Sequence, residues 1–164
     1  MRIVKRIVDS VASRRNLLRL RVKREVLAPC GNRCDLCPAF NENVSSLFMK
    51  ARISQGWEKY FGLCVPPGEV ECVGCSNKGK IVDRHCPVRS CVRKYNVRTC
   101  ADCSHYPCGK VKPRLNLVEE VLREFPNISR RDRKLFIQPY DSKKRLTALR
   151  EEKKEEERQA KENC

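Results

Sequence analysis

Ala28-Pro29-Cys30-Gly31-Asn32-Arg33-Cys34-Asp35-Leu36-Cys37-Pro38-Ala39-Phe40 opens a run in which cysteines recur every few residues. Cys72-x2-Cys75, Cys86-x4-Cys91 and Cys100-x2-Cys103-x4-Cys108 follow it. Eleven of the twelve cysteines lie between Cys30 and Cys108, ten of them in these clusters. Thiolates spaced this closely converge across a tight turn and can wrap one soft cation. A disulfide framework is the competing reading. Against it, residues 1–29 mix apolar residues with Arg and Lys and show no continuous apolar segment of the secretory kind. Cys-x2-Cys pairs also make poor structural bridges, so metal is the expectation.

Ligand arithmetic narrows that expectation. Cys30, Cys34, Cys37, Cys72, Cys75, Cys86, Cys91, Cys100, Cys103 and Cys108, with His85 and His105, make twelve donors. That number fills three tetrahedral sites, and two full sites with spare thiols fit as well. Both histidines also read as loop residues that bind nothing. Cys64 and Cys164 stand apart from the clusters. Zn²⁺, two or three per chain, is the expected cofactor. An iron–sulfur cluster is the alternative, since all-thiolate ligation suits it too.

Four segments together resemble one family. They are Ala28 to Phe40, Glu71-Cys72-Val73-Gly74-Cys75, His85-Cys86-Pro87-Val88-Arg89-Ser90-Cys91 and Cys100 to Cys108. In this order they resemble the cysteine-rich domain of unknown function 3795 family of archaea and bacteria, over about residues 28–126. The resemblance implies a metal-binding module in a prokaryotic cytoplasm and implies no reaction. The family often carries a further cysteine three positions before the one matching Cys86, where this chain has Asp83. Either His85 supplies that donor or one site is incomplete.

Charge is the second signal. The formal net charge is +16. Residues 1–29 carry nine Lys/Arg against two acids, and residues 110–150 carry twelve against five. Ten thiolates holding three Zn²⁺ would take about four charges from the cysteine region, leaving the positive field on the flanks. Bases exceed acids by 36 to 20, so ion pairing cannot absorb the excess. Such flanks suit RNA or the ribosome, where phosphate contacts dominate affinity. The candidate contacts are Arg14, Arg15, Arg19, Arg21, Lys23, Arg24, Arg130, Arg131, Arg133 and Lys134. No stretch reaches the ~18 apolar residues of a membrane span.

With an aromatic fraction of 6% and a mean hydropathy of −0.61, a conventional core is expected to be thin. The predicted fold is a small irregular α+β domain, metal-stapled, with zinc-ribbon or knuckle-like turns and two or three helices. Its parts are a basic N-terminal extension (1–27), the cysteine-rich domain (28–126), and a basic linker with a charged C-terminal helix (127–164). Periodicity predicts helices over 2–12, 44–61 and 115–125, and alternation predicts a strand over 18–23. Val44, Leu47, Phe48, Ala51, Trp57, Tyr60 and Phe61 form the expected apolar side of the second helix. Trp57 reads as core rather than as a stacking platform. The tail from Ser142 lacks an apolar seam, which suits a solvated or partner-bound helix. The function expected is a zinc-binding, non-catalytic module on RNA or the ribosome. The alternative is an iron–sulfur protein acting in electron transfer or as a redox accessory subunit.

Overall fold

The computed structural model describes residues 25–162. The predicted N-terminal helix and strand, the candidate contacts from Arg14 to Arg24, and Cys164 lie outside the described residues. The described chain is helical, with no strand and no sheet; only two isolated bridges form, Leu27 with Arg33 and Phe40 with Cys72. This overturns the α+β prediction. The stretch between the first and third cysteine clusters carries Pro66, Pro67, Gly68, Gly74 and Gly79. The prolines remove ladder donors and the glycines favour turns, so no ribbon hairpin forms there. The metal staple of that fold is overturned with it. Among the described residues no three His, Cys, Asp or Glu side chains are grouped to hold a metal ion. Two apolar clusters organise the architecture instead.

Helix α1 spans Leu47–Phe61. The Ser46 hydroxyl accepts the Met49 N–H at 3.2 Å and caps its start. Gly62, left-handed at φ 62°, closes its end by donating to the Glu58 carbonyl. The helix buries Ile53, Gly56, Trp57 and Tyr60. Leu47 and Phe48, expected on its apolar side, are exposed instead, at 74% and 76%. Helix α2 (Pro87–Lys94) starts on a proline, whose missing N–H would find no partner in the first turn anyway. It buries Val88, Arg89 and Val92. Helix α3 (Lys112–Glu124) buries Leu115 and Val121.

After α3, Ser129 caps a short helix α4 (Arg130–Asp132) that runs on into a π-helical turn, Arg133–Ile137. Helix α5 covers Ser142–Glu162 and buries Ser142 and Leu146 at its start. The segment expected as linker and the start of the tail therefore pack inward, while residues 151–162 are exposed apart from Glu155. Phe136 and Ile137 join Ile53, Trp57 and Tyr60 in one cluster, and Leu146 joins Cys30, Cys86, Val88 and Cys100 in the other. Full burial of a side chain such as Phe136 stabilises by roughly 2–3 kcal/mol.

Glycines set two of these close approaches. A Cβ on Gly56 would overlap the Phe136 ring, so α1 meets that ring through the one position with no side chain. Gly31, at φ 91°, turns the chain under α5; a Cβ there would lie 2.8 Å from Leu146 Cγ and 2.9 Å from the Ser142 carbonyl oxygen.

Candidate metal centre

Two facing turns build the larger cysteine site. A 3-10 turn over Cys34–Leu36 folds the first cluster back on itself, and the Cys37 N–H donates to the Cys34 carbonyl at 3.0 Å. The second cluster is pinned beside it, with the Cys72 N–H donating to the Ala39 carbonyl and the Asn41 N–H to the Cys72 carbonyl, both at 2.9 Å. Gly74, at φ 85°, aims its N–H at Cys72 Sγ over 3.4 Å. A Cβ on Gly74 would come within 3.5 Å of Cys34 Sγ, so the two turns touch through that glycine. Buried Asp35 anchors the first turn. It takes two hydrogen bonds from Arg33, at 2.8 and 2.6 Å, and one from the Val26 N–H at 3.0 Å. The Arg33 hydrogen bonds hold its carboxyl below the usual carboxylate range.

Cys30, Cys34, Cys37, Cys72, Cys75 and Cys86 line a single cavity of about 280 Å³. Trp57 and Tyr140 close one side of it. Trp57 Nε1–H donates to Tyr140 Oη at 2.9 Å, which leaves the phenol proton free to point at Cys37 Sγ, 3.2 Å away. Arg114 also lines the cavity and is paired with Asp83.

Cys91, Cys100, Cys103 and Cys108 line a second, nearly filled cavity of about 20 Å³. Thr99 and Asp102 cap the 3-10 turn Cys100–Asp102 reciprocally, which fixes the spacing of Cys100 and Cys103. Arg150 of α5 reaches over this loop. Its Nη1 donates to the Ala101 and Cys103 carbonyls at 3.0 and 3.1 Å, and its guanidinium stacks on Tyr106 at 5.0 Å. The Cys100 N–H donates to the Pro29 carbonyl at 2.8 Å and ties the two cysteine regions together.

Burial and like charge act on these thiols in the same direction. Burial pushes Cys34 up to about 12, helped by the neighbouring Cys75, Cys37 and Cys72. Cys75 rises to about 12 by burial, with Cys30, Cys86 and Cys72 adding to it. Cys100 does the same beside Cys30, Cys108, Cys103 and Cys91. Burial also raises Cys37, against the opposing hydrogen bond from Tyr140. Thiols that cannot ionise for want of a counter-charge are ones that a cation would deprotonate. Sulfur is the donor type that a soft ion takes, and a backbone N–H and a phenol lie within hydrogen-bond distance of two of these sulfurs.

Ten of the predicted ligands thus line two cavities, six on one and four on the other, although no three of them are grouped to hold a metal ion. His85 and His105 are not among the ten. Both are exposed and line neither cavity; His105 Nδ1 lies 3.3 Å from Ser104 Oγ. Cys64 is exposed as well. Arg130, Arg131, Arg133 and Lys134 are exposed and have no acidic partner among the described residues. Asp132 in their midst points inward, where it takes hydrogen bonds from Arg52 at 2.7 Å and Tyr60 at 2.8 Å. Sequence reading missed Tyr140 beside the thiols. Tyr140 meets Cys37 across 103 positions, and no local pattern signals such a contact.

No helix among the described residues is long and apolar enough to cross a membrane. No curated protein and no solved structure matches the chain. Residues 26–113, which hold both cysteine groups, match the family described as "Protein of unknown function (DUF3795)". That is more than half of the chain, and the chain belongs to this family.

Proposed function

We propose that this chain is a non-catalytic metal-binding module that holds zinc on its cysteines and lies against RNA or ribosomal phosphates through exposed bases. The observation that carries the reading is the meeting of ten cysteines, from four separate clusters, on two cavities. Cys91, Cys100, Cys103 and Cys108 make one four-thiolate set. Cys34, Cys37, Cys72 and Cys75, the four that face each other across the Gly74 contact, make a second. Cys30 and Cys86 then stand between the two as spare thiols. Two zinc ions per chain follow from this grouping. The four outward bases from Arg130 to Lys134 supply phosphate contacts that need no base code.

A second reading keeps the thiols and changes the ion. The larger cavity has six sulfurs on its wall and about 280 Å³ of space, room enough for an iron–sulfur cluster as well as for a zinc ion. Hydrogen bonds to sulfur of the Tyr140 and Gly74 kind are a means of tuning such a cluster.

Metal analysis with the visible spectrum of anaerobically purified protein separates the two. Colourless protein with two zinc ions per chain, falling to one in Cys103→Ser, upholds the first reading. Brown protein containing iron and sulfide replaces it with the second. Protein that binds neither metal ends both.

A further inference from the structure

The cysteine groups leave one charged side chain unexplained. Arg89 is only 8% exposed, and it has no acidic partner among the described residues. Its Nη2 donates to the Asp83 and Arg84 carbonyls, the latter at 2.9 Å, while its Nη1 is buried with no hydrogen-bond partner. Arg52 Nε is also buried without a partner, but its guanidinium already holds Asp132. A buried guanidinium with an idle N–H and no counter-ion is unfavourable unless something else meets it.

Arg89 forms part of the wall of an open pocket of about 420 Å³ that it shares with Gly79, Lys80, Ile81, Arg84 and Arg93. Four bases line this pocket and no acid does. The nearest acid along the chain, Asp83, is turned to the cysteine cavity and paired with Arg114. Arg89 and Arg93 lie four residues apart on α2, which places them on one face. Arg84 and Lys80 come from the loop before that helix. Arg84 and Arg93 make no side-chain hydrogen bond or ion pair among the described residues, and Lys80 Nζ reaches only the Gly68 carbonyl, at 3.0 Å. Cations gathered on one concave surface repel each other until an anion fills it, and forked guanidiniums match the oxygens of phosphate.

We propose that the pocket of Lys80, Arg84, Arg89 and Arg93 is a phosphate-binding site. It takes a tetrahedral oxyanion, with the fixed charge of Arg89 at its base and Lys80, Arg84 and Arg93 closing over its oxygens. The site uses none of Arg130, Arg131, Arg133 and Lys134, so it stands or falls separately from the polyanion contacts proposed above.

Titration of the full chain with inorganic phosphate at fixed ionic strength, followed through the arginine Nε–H resonances, tests it. The expected result is a saturable response of Arg89. Affinity should fall about tenfold or more in Arg84→Gln/Arg93→Gln, whose exposed substitutions leave folding intact, and should hold in Arg130→Gln/Arg131→Gln. No saturable response overturns the proposal. So does equal affinity in the Arg84/Arg93 variant, which would leave Arg89 serving only the nearby Cys75 thiol. Competition then assigns the source. Displacement by a single-stranded oligouridylate points to a phosphodiester backbone, and displacement by adenosine monophosphate alone points to a phosphorylated small molecule. Displacement by neither leaves an adventitious ion only and overturns the site.

Discussion

Tyr140 holds its hydroxyl 3.2 Å from the sulfur of Cys37, which lies 103 positions earlier in the chain. Burial drives the phenol pKa well above its ordinary value, and the neighbouring Cys37 raises it further, so at neutral pH Tyr140 keeps the proton it offers to sulfur. Trp57 holds the phenol in place from the other side.

Tyr140→Phe should therefore cost about 1–3 kcal/mol, because it also leaves the Trp57 indole N–H buried without an acceptor. In a Trp57→Phe background the same change should cost less, since that orphaned donor is gone. Urea midpoints of the two singles and the double measure the coupling.

Gly56→Ala pits helix propensity against packing. Alanine is favoured over glycine in a helix by up to ~1 kcal/mol. Here its Cβ would overlap the Phe136 ring, and overpacking of that kind costs roughly 1–3 kcal/mol. The substitution should destabilise the wild type and turn neutral or stabilising in a Phe136→Ala background. A loss of equal size in both backgrounds would rule out the ring contact as the cause.

Gly56 and these aromatics show what the sequence conveys and what it hides. The spacing predicts helices over 44–61 and 115–125 and a tail from Ser142, and the structure has Leu47–Phe61, Lys112–Glu124 and Ser142–Glu162. These are long, periodic segments with clear stops at Gly62 and Pro126. Helix α2 was hidden because eight residues beginning on Pro87 and carrying Cys91 look like another cysteine turn. Gly56 reads as a weak point in a helix until its partner, 80 positions on, is known. The cysteine spacings were plain, but the partition into six and four depends on how the intervening loops travel, which spacing does not encode.

Tyr60 carries a pH signature. Burial, with a hydrogen bond to Asp132, raises its phenol to about 12. A raised folded-state value means that its contribution is fully present below the unfolded phenol value of ~10 and is lost as pH climbs towards 12. Wild type should lose more stability than Tyr60→Phe between pH 10 and 12. Parallel losses in the two proteins would show that the phenol proton is not held.

Replacing Arg130, Arg131, Arg133 and Lys134 together by Gln should leave stability within about 0.5 kcal/mol, because all four are exposed. RNA co-sedimentation should weaken, and the slope of log affinity against log salt should fall by up to ~1 for each contact removed. An unchanged slope would show that these residues do not meet phosphate.

The seating of Leu146 beside Gly31, and of Phe136 against Gly56, sets a lower limit on what can be cut away. The family match ends at residue 113, but the side chains that close both apolar clusters come from beyond it. A fragment excised at the family boundary would carry every clustered cysteine and neither plug. It would present two open apolar faces to other molecules, so the smallest self-sufficient unit of this protein extends at least into the first turns of its last helix.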